Sequence, residues 1–354
     1  MAGITSPDQI VREDLSEAFL QSDVRMTPVT SRVKKGSKLT NIEIYSWPIE
    51  TMGGRVVEGV PEGKDVVAFE GDKQERLYNR PQKFRRTPKV SDEANEINVS
   101  PNQFGKYAKL VTKKIREQQR DVEQRYLDDN DSKPDDGVRG YEFKGMGMVI
   151  NDQVSVGVAG AALTSTDPQT DIPPAFRTPT AQIYTGNLID VNGDPVFTSD
   201  TLVGMLASRY NNLGQTTELI MYADSVLKTH IGKFFGKYAQ NVQGYTAIVQ
   251  TPQQAIEKKT LALYGVDVIN TDYGPMMVEL MQWAPKTSTG EPSGRGYMFN
   301  FDQLQLRPSG KWLTHKELEN QGGGPRGYID SIIGHEYGDP RTHLKIDPVA
   351  VQGS

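Results

Sequence analysis

The chain has 354 residues and a formal net charge of −5, a weakly acidic balance that argues against a dedicated DNA-binding protein. It contains no cysteine, which excludes disulfide frameworks and thiolate metal sites. No apolar run approaches the ~18 residues of a membrane span, and the N-terminus lacks the basic start and apolar run of a signal peptide, so we expect no membrane partner.

The first 40 residues are predicted to be a polar arm. The stretch "QSDVRMTPVTSRVKKGSKLT" is polar, rich in β-branched residues and interrupted by Pro28. Such a segment rarely folds on itself and is expected to lie along another surface.

Residues 41–80 are predicted to form a strand followed by a long β-hairpin. "LTNIEIYSWPI" alternates as a strand does, and "RVVEGV" and "KDVVAF" are two short β runs joined by the turn-forming "PEG". A two-stranded hairpin of this size is marginal alone in water, so it needs a surface to lie on.

A basic run follows the hairpin. The segment "RLYNRPQKFRRTPKV" contains no acid and six basic residues, which are Arg76, Arg80, Lys83, Arg85, Arg86 and Lys89. Two interpretations stay open, a phosphate-attracting surface and a set of inter-subunit salt bridges, and the second is favoured.

After a short strand and turn in "ANEINVSPNQ", a long helix is predicted over about 103–127. Its apolar residues form one narrow seam, namely Phe104, Tyr107, Ala108, Val111, Ile115, Val122 and Tyr126. A helix with so thin a seam has little to gain from the core of a compact monomer. The acid-rich "DDNDSKPDDG" that follows predicts an exposed loop, with weak cation binding as the less favoured alternative.

The remaining chain predicts a mixed α+β body that ends in antiparallel strands. "YEFKGMGMVI" is interpreted as a strand, and "TSDTLVGMLASRYNNLG" as a capped amphipathic helix with Leu202, Met205 and Leu206 inside. "ELIMYADSVLKTHIGKFFGKYA" predicts a buried strand and a second helix. The strand-like segments after it include "PMMVELMQWAP", "RGYMFNFDQLQLRPSG" and "GYIDSIIGHEYG".

No motif indicates chemistry. His335 has Glu336 and Asp339 nearby but not the spacing of a zinc-binding His-Glu-x-x-His motif. Phosphate-cradling loops and nucleophile elbows are also missing. We therefore assign no catalytic residue, no metal ligand and no cofactor, and expect a non-enzymatic protein.

The order of these parts resembles the major capsid proteins of tailed phages with the Hong Kong 97 (HK97) fold. Local segments strengthen the resemblance, among them "REDLSEAFLQSDVRMTPVTSRV", "ERLYNRPQKFRRTPKVS", "YAKLVTKKIREQQRDVEQRYL", "YGVDVINTDYGPMMVELMQWAP" and "HEYGDPRTHLKI". Each segment alone is a weak signal, whereas their order and spacing over most of the chain are fairly specific.

The resemblance implies a domain organisation. Residues 1–40 would be the N-arm, 41–80 a strand and the E-loop hairpin, and 81–180 the peripheral domain with its spine helix. Residues 181–275 would be mainly the axial domain, and 276–354 closing strands that return to the peripheral domain.

The resemblance also implies two sets of site residues. The hairpin would reach over a neighbouring subunit through residues that include Arg55, Glu58, Glu62, Lys64, Asp65 and Phe69. The spine helix would face the capsid interior, where Lys113, Lys114, Arg116 and Arg120 would lie near DNA.

The function implied is that of a major capsid protein, which assembles in the host cytoplasm into hexamers and pentamers. These would close an icosahedral or prolate shell, the virion capsid, around double-stranded DNA that is held without sequence preference. A separate scaffolding protein and a portal protein are expected partners, and a decoration protein is compatible with the resemblance. The alternative is a nucleic-acid-associated protein that uses the basic 76–89 run and helix 103–127.

Overall fold

The structure is a computed structural model, and it describes residues 27–50, 59, 61–63, 65, 74–96, 106–153, 163–190, 194–213, 219–232, 268–287 and 290–348. The helices are α1 Pro28–Arg32, α2 Asp92–Glu96, α3 Lys106–Leu127, α4 Met146–Val149 and α5 Ser199–Leu213. Residues 225–232 are also helical, and three 3₁₀ turns lie at Pro174–Phe176, Thr180–Gln182 and Pro340–Thr342. Within these ranges, no helix combines the length and apolarity needed to cross a bilayer.

The strands form two sheets and one two-stranded ribbon. In chain order they are β1 Lys34–Lys35, β2 Tyr45–Glu50, β3 Gln74–Asn79, β4 Gln82–Arg86, β5 Ile183–Tyr184, β6 Leu219–Ala223, β7 Val268–Thr271, β8 Gly274–Leu280, β9 Gly296–Phe299, β10 Gln305–Pro308, β11 Thr314–Leu318, β12 Arg326–Glu336 and β13 Leu344–Ile346.

The five-stranded sheet is built around β12, its longest strand. Ile333 of β12 pairs with Pro308 of β10 and with Gln82 of β4, so these two strands lie on opposite edges of β12. Strand β11 pairs antiparallel with the first half of β12, on the same edge as β10. Strand β1 extends the sheet by pairing parallel with β10.

The six-stranded sheet has the order β5-β13-β9-β6-β8-β7. Its pairs β6–β8 and β5–β13 are parallel and the others antiparallel. Helix α5 packs on this sheet through Leu202, Met205 and Leu206, which are buried as predicted. Thr198 caps the helix, since the Thr201 amide donates to its hydroxyl at 3.5 Å.

Helix α3 lies along β12 and runs in the same direction. The Tyr107 hydroxyl is 3.3 Å from Nε2 of His315 near the start of β12, and Gln118 donates to Oγ of Ser331 at 2.8 Å midway. At the far end, the rings of Tyr126 and His335 have centroids 4.3 Å apart. From Gln118 to Tyr126 the helix rises about 12 Å over eight residues, and from Ser331 to His335 the strand rises about 13 Å over four residues, which explains why these two contacts keep the same spacing.

The predicted seam of α3 is partly wrong. Tyr107, Val122 and Tyr126 are buried, but Ala108 is exposed. Two polar side chains that the seam did not include, those of Gln118 and Glu123, are buried instead. The helix therefore meets the sheet through polar as well as apolar contacts.

Of the predicted strand and turn at 94–103, residues 94–96 belong to helix α2 and the others lie outside the described residues. The predicted strand at 141–150 is wrong. The segment 141–150 forms helix α4 after an isolated bridge between Lys133 and Glu142. All four residues of α4 are buried, so the apolar run does not distinguish a buried strand from a buried helical turn. A Cβ at Gly145 would lie 2.2 Å from the carbonyl oxygen of Asp128, so only glycine allows this approach.

Candidate inter-subunit and DNA-facing sites

The described base of the predicted hairpin is a ribbon of two antiparallel strands, β2 and β3. Their register runs from Tyr45 opposite Asn79 to Glu50 opposite Gln74. Burial falls along the ribbon, since Tyr45 and Asn79 are buried at one end while Glu50 and Gln74 are exposed at the other. The ribbon is thus rooted in the body at its Tyr45 end, and the chain between Glu50 and Gln74 leaves from its exposed end.

The root of the ribbon is attached to the end of β12. The hydroxyl of Tyr45 donates to the backbone carbonyl of His335 at 2.6 Å, and Nδ2 of Asn79 donates to the same oxygen at 2.8 Å. The ring of Trp47 packs edge-on against Tyr337 with centroids 4.7 Å apart. Buried aromatic contacts and hydrogen bonds of this kind stabilise a ribbon that would be marginal alone.

The ring of His335 lies inside the protein at this junction. Burial lowers its pKa to about 3, so the imidazole is neutral at physiological pH. The Lys144 carbonyl lies 3.3 Å from Nδ1, which makes Nδ1 the protonated nitrogen because a carbonyl can only accept. Sequence reasoning considered this histidine only for a metal site. Within the described residues, no group of three or more histidine, aspartate or glutamate side chains is arranged to bind a metal ion.

Two of the six predicted hairpin residues, Glu62 and Asp65, are described, and both are exposed. Arg55, Glu58, Lys64 and Phe69 lie outside the described residues.

The basic run is largely neutralised within the chain. Arg80 is buried and its Nε lies 2.7 Å from a carboxylate oxygen of Asp167. Lys83 and Arg85 both pair with Asp330, and Arg86 donates to Asp121 at 2.7 Å. Lys83, Arg85 and Arg86 of β4, and Arg80 just before it, thus have acidic partners in their own chain, whereas the preference for inter-subunit salt bridges stays a prediction. The arrangement also gives no support to a nucleic-acid site on this run.

The four predicted DNA-proximal residues are divided between two environments. Lys113 and Arg116 are exposed on the face of α3 away from the sheet. Lys114 pairs with Glu117 at 2.6 Å, and the Arg120 guanidinium lies 5.4 Å above the ring of Trp283. Lys114 is thus engaged by an acid of its own helix, and Arg120 by an aromatic ring of the body.

A buried carboxylate on α3 holds the described end of the N-terminal segment, a contact absent from the sequence analysis. Glu123 accepts hydrogen bonds from the amides of Val29 and Thr30 at 3.3 and 3.0 Å and from the Thr30 hydroxyl at 2.7 Å. Burial raises the pKa of Glu123, and these hydrogen bonds oppose the rise. Residues 27–40, predicted to lie along another surface, here pack on their own chain. The sequence offered one signal of this burial, because Glu123 directly follows Val122 and lies three residues before Tyr126, and both of these belong to the predicted apolar seam.

The acidic segment after α3 is not simply a solvated loop. Asp131 is buried, pairs with the ammonium of Lys144 at 3.2 Å, and accepts from the amide of Thr166 at 2.6 Å. Although burial opposes the change, Lys144 and these donors hold the pKa of Asp131 below its usual range. Only its second part, residues 133–137, is exposed as predicted.

A second buried ion group joins the end of α3 to the six-stranded sheet. Arg295 is fully buried and pairs with Asp129 at 2.7 Å, while its Nε donates to Asp347 at 3.1 Å. Lys345 is the second cationic side chain at Asp347, at 3.5 Å, and it donates to the Gly147 carbonyl at 2.8 Å. The two sheets are therefore fixed to each other around the C-terminal end of α3.

Comparison with known proteins gives one consistent picture. The sequence profile of a family described as SU10 major capsid protein matches residues 3–350. Among solved structures, the fold is similar to a capsid protein of a native GTA particle, with 12% identity, 92% of each chain covered and a TM-score of 0.54. It is also similar to a chain from Gordonia phage Cozz, with 12% identity, 97% of this chain and 92% of that chain covered, and a TM-score of 0.52. The capsid of cyanophage P-SCSP1u gives 11% identity, 90% and 87% coverage and a TM-score of 0.50. No curated protein gives a significant match.

Proposed function

Because the chain belongs to the SU10 major capsid protein family and forms the shell of a phage virion, we propose that its copies assemble as hexamers and pentamers held together by the hairpin at residues 51–73. The predicted HK97-like α+β fold is confirmed by the structural likenesses, and the family is a structural one. The shell would be assembled in the host cytoplasm with a separate scaffolding protein and a portal protein.

The observation that carries the proposal is the ribbon of β2 and β3. Its root is fixed by Tyr45, Trp47 and Asn79, whereas its last pair, Glu50 and Gln74, is exposed. The 23 residues between this pair are enough for an arm of up to roughly 35 Å, at about 3.3 Å per strand residue. An arm that leaves a rigid root in this way is suited to lie on a neighbouring subunit.

Burial against a neighbour would supply the stability that the arm lacks alone. Interfaces of permanent assemblies bury thousands of Å² and are strongly apolar. The predicted β runs "RVVEGV" and "KDVVAF" provide such apolar side chains. The charged hairpin residues Arg55, Glu58, Glu62, Lys64 and Asp65, together with the aromatic Phe69, would fix the register on the neighbour.

Deletion of residues 53–72 tests the proposal. The three residues that remain between Glu50 and Gln74 form a loop of a length common in hairpins, so the ribbon can still close. We expect the variant to keep the far-UV circular dichroism and melting temperature of the unassembled subunit but to form no stable shells by negative-stain electron microscopy. A matched control replaces the same residues with a Gly/Ser segment of equal length. Closed, stable particles from either variant would contradict the role of the hairpin.

The exposed face of α3 would be turned toward the shell interior. Of the residues predicted near DNA, Lys113 and Arg116 are exposed there, and Lys114 and Arg120 flank them. The packaged double-stranded DNA would be held by these charges without reading of its sequence, because cations near phosphates contribute affinity rather than specificity.

A further inference from the structure

A cleft of about 310 Å³ lies at the root of the ribbon, and we call it the root cleft. Its lining combines apolar and cationic side chains, among them those of Leu39, Ile44, Tyr45, Tyr78, Arg76 and Arg307. Tyr78 in the lining and Ile42 in the segment that forms one wall are large apolar side chains that stay exposed. Apolar surface with tyrosine and arginine is the composition typical of the centre of a protein interface.

One cation of the root cleft has no acidic partner within the described part of the chain. Arg307 pairs with Glu336 at 3.1 Å. Among the described residues, the guanidinium of Arg76 contacts the Ser46 hydroxyl at 3.4 Å and no carboxylate. None of the described residues that line the cleft is acidic. A carboxylate that completes the charge of Arg76 therefore has to come from another molecule.

A second surface feature presents an apolar side chain between acids. Val138, at 91% exposure, is the most exposed large apolar residue of the described chain, and it lies in the turn formed by residues 133–142. Lys133 and Glu142 close the base of this turn through two backbone hydrogen bonds of 3.1 Å. At the tip, the Asp136 carboxylate accepts from the amides of Val138 and Arg139 at 2.9 and 2.6 Å. The shape of the turn is thus fixed in advance, which lowers the entropy cost of docking it.

The charges of the 133–142 turn complement those of the root cleft. Asp135 accepts from a backbone amide at 2.8 Å and contacts no cation among the described residues, so it is a suitable partner for Arg76. Arg139, the cation of the tip, would face Glu43, an exposed acid of the cleft wall. Because Val138 is almost fully exposed, it does not occupy the cleft of its own chain.

From this complementarity we infer that the root cleft receives the 133–142 turn of a second copy of this chain, with Val138 in the apolar part and Asp135 beside Arg76. The inference rests on the proposed function, in which copies assemble into rings. It adds a contact between subunit bodies to the contact made by the hairpin. A turn on one copy and a cleft on the next form a heterologous interface, the kind that closes into rings.

Disulfide trapping tests the contact, and the absence of cysteine from the chain leaves the introduced thiols as the only ones. Full-length Val138→Cys and Thr40→Cys subunits are made separately, mixed in equal amounts under assembly conditions and oxidised mildly. Thr40 is exposed and lines the cleft. Contact holds the two thiols at a high effective concentration, so the linked dimer should form at least about tenfold faster than from chance collisions.

Two controls measure those collisions. Each single variant oxidised alone gives the rate for copies that carry the same cysteine. Val138→Cys mixed with Thr314→Cys gives the rate for a threonine that is equally exposed but lies on β11. Both controls should give the slow rate on non-reducing gels.

A charge exchange tests the predicted ion pair. Arg76→Glu in the Thr40→Cys chain, or Asp135→Arg in the Val138→Cys chain, should each slow trapping by about tenfold, because like charges then face each other. With both changes the attraction is restored, and the rate should return to within about threefold of the parent pair. Both residues are exposed, and an unchanged melting temperature of the unassembled subunit verifies folding.

Three outcomes would overturn the inference. One is an equal rate for the cleft pair and the Thr314→Cys control, and another is a charge exchange that does not restore the rate. The third is preferential trapping of Thr40→Cys by Glu62→Cys, since this would make the hairpin the occupant of the cleft. Electron microscopy of the shells tests the proposed function separately. Shells without trapping would refute the cleft contact alone, whereas trapped dimers without shells would contradict the proposed function and support the contact.

Discussion

Replacing Glu123 with alanine should detach the described end of the N-terminal segment from α3. The change removes the acceptor of three hydrogen bonds, from the amides of Val29 and Thr30 and from the Thr30 hydroxyl. A net value of about 1 kcal/mol for each bond gives a loss of about 3 kcal/mol in the free energy of unfolding. Because Val29 is fully buried, water cannot easily replace the lost acceptor.

The loss can be measured by chemical denaturation of the unassembled subunit. Glu123→Gln should cost less, about 1 to 2 kcal/mol, because the amide keeps one accepting oxygen. Trypsin should cleave after Arg32, Lys34 and Lys35 more rapidly in the alanine variant, since the segment that contains them is no longer held. The exposed Glu319 offers a control, because Glu319→Ala should stay within about 0.5 kcal/mol of the wild type.

The size of the coupling gives the sharpest check. Thr30→Val removes only the hydroxyl donor, and a double-mutant cycle with Glu123→Ala should give an interaction energy of about 1 kcal/mol. An alanine variant with wild-type stability and unchanged proteolysis would refute the assignment of Glu123 as the anchor of this segment.

Three further predictions concern the buried junctions. Burial lowers the pKa of His335 to about 3 and that of His343 to about 4. Each neutral ring therefore contributes stability that is complete above about pH 6.5 and is lost as the pH falls, at about 1.4 kcal/mol per pH unit for each ring. In denaturation curves of His335→Gln between pH 6.5 and 5, this loss of unfolding free energy per pH unit should be half that of the wild type. Arg295→Met should destabilise the subunit by about 3 to 5 kcal/mol, because it leaves the carboxylate of Asp347 buried without its arginine partner, and a melting temperature equal to that of the wild type would contradict it. Gly145→Ala should lower the yield of folded subunit, measured by size-exclusion chromatography, because the added methyl would lie 2.2 Å from the backbone oxygen of Asp128. A normal yield would contradict this and show that the end of α3 can shift.

The long elements were predictable from sequence because their periodicity is strong. Helix α3 was expected over about 103–127 and is described as Lys106–Leu127. Helix α5 and the closing strands were also expected, since their apolar residues repeat at the period of each element. The predicted helix and strand boundaries depend only on neighbours in the chain.

The polar interior was less predictable. Asp131 forms an ion pair with Lys144, thirteen residues away, and Arg80 forms one with Asp167 from a different part of the chain. The sequence shows a run of acids and a run of bases, but not that the fold brings each beside an opposite charge. A charge run therefore predicts a solvated face only until tertiary pairing is known.

The candidate site shows the same division. Strand β2 was predictable because its residues alternate, and the structure describes its buried end at Tyr45 and Trp47. Its partner β3 was not predicted, because Gln74–Asn79 is polar and overlaps the basic run. The choice of cations on α3 was also not predictable, because helix rotation depends on which side chains the sheet accepts. Gln118 and Glu123 face inward, and their burial turns the row of Lys106 and Lys113 outward.

The two occupied edges of β12 have a mechanical consequence. Part of the load that a neighbour would place on the ribbon enters the body at His335, close to the C-terminal end of β12. Residues 329–333 of this strand are paired with β4 on one edge, and on the other edge β11 pairs with 326–330 and β10 with 333–336. A pull along the strand would have to break these backbone bonds together, in shear, rather than one after another as in peeling. A shell wall under internal pressure would thus transmit tension through the element of each subunit that is best arranged to resist it.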